Sequence, residues 1–141
     1  MWGMSMRLAE FAVALALLIS TPAFTQQKGR DGQDCDKLKK QAAHLSSKEA
    51  LDAALQKGIP PANKIYPGAE IIWTVLVNQN GFIDCVLDNS PAESWGRLHL
   101  IINSAKALDD WRFKPYISNG KKRSFITKLT FFDDGNEVTV R

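Results

Sequence analysis

The run Trp111-Arg112-Phe113-Lys114-Pro115, then Asn119-Gly120-Lys121, then the apolar stretch from Ser124 to Phe132 decides how this chain folds. Pro115 lacks an amide hydrogen and biases Lys114 away from helical backbone, so the helical pattern that Trp111 closes must finish near there. Asn119-Gly120 tolerates positive φ and marks a turn. Ser124 to Phe132 then reads as a strand. Phe125, Leu129 and Phe131 fall on one face, and Ile126 and Phe132 flank Lys128 and Thr130 on the other. Nothing in this region is a catalytic signature.

Working outward, Leu98, Ile101, Ile102, Ala105 and Leu108 predict an amphipathic helix before Trp111. Asp109 and Asp110 stand at its negative end, with Arg112 and Lys114 close enough to offset them. Further upstream, Ile71, Trp73, Val75 and Val77 alternate with Ile72, Thr74 and Leu76, a strand pattern of period two. Asn78-Gln79-Asn80-Gly81 predicts a hairpin turn, and Phe82 to Leu87 the return strand, with Ile83, Cys85 and Leu87 on one face. Asn89-Ser90-Pro91 ends it. Downstream, Asp133-Asp134-Gly135-Asn136 marks another turn, and Val138 and Val140 a short fourth strand. The order predicts an α+β fold: an antiparallel three- to four-stranded sheet with helices packed on it. The first strand is apolar on both faces, through Trp73 on one and Ile72 and Leu76 on the other. Cover for the second face must come from the N-terminal helices or from a partner, and intramolecular cover is the expectation.

The N-terminal third divides by composition. Arg7, the apolar run Phe11 to Ile19 and the small residues up to Ala23 read as a secretory signal peptide over 1–25, with cleavage after Ala23 or Thr25. An uncleaved anchor is the other reading, although the apolar run falls short of the roughly 20 residues a span requires. Residues 26–33 read as a disordered lead-in. The domain proper is 34–141, beginning with a helical extension: Leu38, Ala42 and Leu45 recur at helical spacing, and Ser46-Ser47-Lys48-Glu49 is a capping box. Ala50, Leu51, Ala54 and Leu55 follow on one face, Gly58 is placed as the residue ending the helix, and Pro60-Pro61 forbids continuation. One bent helix or two fits residues 34–57 equally. The predicted compartment is the periplasm or the exterior, where two cysteines permit one bridge, Cys35–Cys85; a buried free Cys85 is the alternative. Such a bridge would tie the N-terminal helix to the sheet.

The formal charge of +3 includes two basic clusters, Lys37/Lys39/Lys40 and Lys121/Lys122/Arg123, which read as a solvated face and a turn. His44 and His99 are isolated, no CxxC or paired histidine motif offers a zinc site, and no phosphate loop or nucleophile motif occurs. The expectation is a non-enzyme with no cofactor, no metal, no nucleic-acid partner and no membrane span after cleavage.

From Tyr66 to Phe132 the chain resembles the TonB C-terminal domain family. The likeness rests on Tyr66-Pro67, Val75-x-Val77, Asn80-Gly81, Ile83, Val86, Ser90, the W-R-F-K-P element and the N-G-K turn, in that order. Two departures stand out: five residues separate Pro67 from Trp73 where the family carries a short helix ending in glycine, and no long Pro-rich spacer precedes the domain. The resemblance implies a protein-binding module that adds a partner peptide as a strand at a sheet edge. Its implied contacts are Tyr66, Pro67, Arg112, Phe125, Thr127, Lys128, Leu129, Thr130 and Phe131, and its implied partner is an outer-membrane receptor peptide, or a second copy of the chain. A periplasmic inhibitor or adaptor using the apolar sheet face, or a small ligand-binding protein, is the alternative.

Overall fold

The computed structural model describes residues 34–141, so the expected signal peptide and lead-in lie outside the described residues. In chain order the elements are α1 (Cys35–Gln41), β1 (Ala43–His44), α2 (Ser47–Asp52), β2 (Ala54–Gln56), β3 (Ala69–Val77), β4 (Ile83–Asn89), α3 (Trp95–Ala107), a 3-10 turn (Leu108–Asp110), β5 (Arg112–Phe113), β6 (Tyr116–Ser118), β7 (Lys121–Arg123), β8 (Phe125–Asp133) and β9 (Val138–Val140). The fold is α+β. Its centre is the antiparallel pair of β3 and β8, in register from Ala69 opposite Asp133 to Val77 opposite Phe125.

Three features of the sheet differ from the expectation. It has five strands, in the order β1-β8-β3-β4 with β9 also on β8, and it is mixed, because β1 runs parallel to β8. Two further two-stranded sheets, β2 with β5 and β6 with β7, sit apart from it. Finally, β4 carries two register shifts against β3, so Ile83 pairs with Val77, Cys85 with Leu76 and Val86 with Val75. A bulge turns the residues beyond it to the other face. Ile83 therefore joins the main core while Cys85 joins the second face, and the predicted common face of Ile83, Cys85 and Leu87 is split.

The main core lies between the sheet and α3. Ile71, Trp73, Val75, Val77, Phe125, Leu129 and Phe131 meet Leu100, Leu108, Trp111 and Phe113 there. Trp73 Nε1 donates to Ser104 Oγ at 2.9 Å and Trp111 Nε1 to the Gly58 carbonyl at 2.9 Å, so both buried indoles keep a polar partner. Within α3 the buried positions are Leu100, Ser104 and Ala107. Ile102 is 48% exposed, so the predicted stripe is rotated from the one that meets the sheet. The second face holds a smaller cluster of Leu76, Cys85, Ile126 and Cys35, and the disulfide Cys35–Cys85 fixes α1 over it with Cα atoms 6.0 Å apart. The N-terminal extension thus covers Leu76. It leaves Ile72, further along the same strand face, 38% exposed.

The extension is two short helices rather than one. Ser46 caps α2, its hydroxyl accepting from the Glu49 amide at 3.1 Å. Yet α2 stops at Asp52, and Ala54–Gln56 extends to pair with β5. Gly58 ends no helix. A Cβ there would lie 1.9 Å from the Ala107 carbonyl oxygen, so glycine is what lets this segment press against the end of α3 and offer its carbonyl to Trp111. Asn119 and Gly120 have φ of 53° and 74°, the two positive values that a tight β6–β7 hairpin demands.

Candidate functional site

Backbone direction alternates along a strand, and that alternation fixes which edges are open. The amide of Thr130 donates to the Arg141 carbonyl at 2.8 Å and its own carbonyl accepts from the Arg141 amide at 2.9 Å. Even-numbered residues of β8 therefore turn their backbone outward, away from β3. At the other end the Ile126 carbonyl accepts from the Leu45 amide at 2.9 Å, beside the β1 pairing. Between these, the Lys128 carbonyl accepts from Ser47 Oγ at 2.6 Å. The outer side of β8, expected to be open, is thus occupied at both ends by the chain's own strands, with Lys128 alone between them.

The nine expected contact residues do not form one surface. Phe125, Thr127, Leu129 and Phe131 are buried, and their backbones ladder with β3. Lys128 is exposed and Thr130 half-buried. Tyr66 and Pro67 lie beyond the Asp133 end of the sheet, where Gly68 donates to the Asp133 carbonyl at 2.7 Å. Arg112 lies at the opposite end, its guanidinium 4.3 Å above the Phe82 ring and donating to the carbonyls of Asp109 and Trp111 at 2.7 Å each. A nine-residue strand spans about 30 Å, so Tyr66 and Arg112 cannot touch one short ligand together. The Asp109 bond does place a cation on the negative end of the α3 segment, as the sequence suggested.

The open edge is on the other side of the sheet. Among the described residues no strand pairs with the outer side of β4. Ile72 turns its amide and carbonyl to Ser90, which gives Val75 to β8. Val86, opposite Val75, consequently turns its own amide away from β3. Asp88 and Asn89 are exposed at the end of the same strand.

Three concavities flank these edges. One, of about 470 Å³, runs over the second face between α1 and the β1–α2 connection, lined among others by Lys39, His44, Thr74, Asp88 and Lys128. A second, of about 530 Å³, lies between the Ile65–Glu70 segment and the start of α3. Tyr66 stacks on His99 there at 5.6 Å, and Ile65 and Trp95 stand 78% and 67% exposed. The third, of about 750 Å³, lies between α1 and β7. Sequence reading missed Trp95 because nothing local separates an exposed apolar residue at a helix start from a buried one. Among the described residues no His, Cys, Asp and Glu side chains gather as a metal site, and no helix is long and apolar enough to cross a membrane. Compared with family models, with curated proteins and with solved structures, the chain matches none.

Proposed function

We propose that this chain is an exported, non-catalytic protein-binding module of the kind its TonB C-terminal resemblance implies, and that it takes an extended partner segment by strand addition at the outer edge of β4. The observation carrying this reading is the side of β4 on which no described strand pairs, with the Val86 amide directed to it. Ladder bonds there would supply affinity, while pockets for alternate side chains would supply specificity. Exposed Asp88 favours a partner segment with basic residues. The disulfide fits an oxidising compartment, and the periplasm, with a receptor of the outer membrane as partner, is the setting this reading assigns.

Affinity capture from a periplasmic extract, followed by hydrogen exchange on the isolated complex, tests it. Val86→Pro removes the outward amide without touching a β3 ladder bond and is expected to abolish capture. A captured set unchanged by Val86→Pro, or protection that avoids β4, rejects the edge mechanism. A second reading follows from Ile72, which α1 leaves exposed: an adaptor that binds through the open part of the second face. Loss of capture by Ile72→Asp with Val86→Pro silent would select it.

A further inference from the structure

We propose that the face built from α1 and the β6–β7 hairpin docks on an anionic membrane surface, through phosphate-bearing lipid headgroups. The two basic clusters are about eighty positions apart in the chain, yet the fold makes them neighbours. Arg123 Nη2 donates to the Gln41 carbonyl at the end of α1, 3.1 Å away. Lys37 and Arg123 line one concavity of about 750 Å³, together with Asp34, Leu38, Gln41, Gln79 and Ser124. Lys37, Lys39, Lys40, Lys121, Lys122 and Arg123 are all exposed. Against these six cations the same two segments carry Asp34 and Asp36, a surplus of four positive charges between them.

Not all of this charge has a structural duty. Lys39 and Lys40 occupy the last turn of α1, where they complement the helix dipole, and Arg123 caps a carbonyl. Lys121 and Lys122 do neither: among the described residues no ion pair or hydrogen bond holds their side chains, and they sit on a separate two-stranded ribbon. Ile117, the register partner of Lys122, is 54% exposed on the same ribbon. An apolar side chain flanked by lysines at a hairpin tip suits the boundary between headgroups and acyl chains. A nucleic acid is disfavoured, because among the described residues the concavity has no aromatic side chain on which a base could stack.

Flotation of the disulfide-bonded protein with vesicles of phosphatidylcholine plus phosphatidylglycerol, against vesicles of phosphatidylcholine alone, tests the proposal. Binding is expected only to the anionic vesicles. Lys121→Gln with Lys122→Gln should weaken it about 25-fold, at roughly fivefold per cation. Ile117→Ser should also weaken it, with the charge unchanged. Both sites are exposed, and near-ultraviolet circular dichroism of the buried tryptophans confirms the fold of each variant. Equal binding to both vesicle types, binding to neither, or indifference to the lysine substitutions overturns the proposal. So does calorimetric saturation by inorganic phosphate without vesicle binding, which would assign the face to a soluble anion.

Discussion

Thr127 shows how a residue can be central and still poorly matched. Its side chain on the β8 strand is 2% exposed, and its hydroxyl meets no hydrogen-bond partner among the described residues. A buried hydroxyl without a partner costs about 1 to 3 kcal/mol. Thr127→Val keeps the shape and removes that cost, so it should stabilise the protein by about 1 kcal/mol, read as a higher urea midpoint with an unchanged slope. An unchanged or lower midpoint would mean that the hydroxyl is satisfied in solution. Asp134 is the opposite case, an exposed carboxylate with more partners than most. Its oxygen accepts from the amides of Glu137 at 2.8 Å and Asn136 at 2.7 Å, and these bonds hold its pKa below the ordinary value. Because the folded value is the lower one, the unfolded chain takes the proton first as pH falls. The stability this turn contributes is complete above the ordinary carboxylate value and is lost as pH drops through the folded one. Asp134→Asn keeps an acceptor but should flatten the acid limb of a melting-temperature profile taken from about pH 5 to about pH 2.

Among the elements, α1 depends most on one bond. Its seven residues are too few to be helical alone in water, and its apolar contact with the sheet is the small cluster around Leu76 and Ile126. The Cys35–Cys85 bridge spans 50 positions of chain and by loop entropy contributes about 4 kcal/mol. Cys35→Ser with Cys85→Ser should lower stability by that order and render residues 35–42 open to proteolysis before the core melts. Simultaneous loss of α1 and core protection would show that the helix is held by more than the bridge. The strands show where local pattern suffices and where it fails. Period-two alternation in Ile71–Val77 and Phe125–Phe131 is visible because one face is buried and the other partly wet. In β4 two bulges break that period, and no residue type in Phe82–Leu87 announces them.

Across the whole molecule, and among the described residues, the sheet has one guarded flank and one on which no strand pairs. β1, Ser47 and β9 close the side of β8, a common answer to the aggregation risk of an exposed edge, while β4 relies on charged and polar residues such as Asp88 and Asn89 at its end. Lys128→Pro should therefore leave partner capture intact, whereas Val86→Pro should remove it. The reverse result would return the interaction to β8. The lysines of the β6–β7 hairpin and the Val86 amide belong to different sheets, so vesicle binding and partner capture should respond to different substitutions.

The sequence by itself determined the α+β class, the β3 and β8 strands, and the turns at Asn80-Gly81 and Asn119-Gly120. These features follow from local rules: side-chain period, the missing amide of proline, and the freedom of glycine at positive φ. Only the tertiary structure decided which edge stays open, which face of α3 meets the core, what Gly58 is for, and that two distant lysine clusters become one surface. Each of those depends on which segments come to lie side by side, and side-chain period along a strand is the same whether its edge is paired or bare.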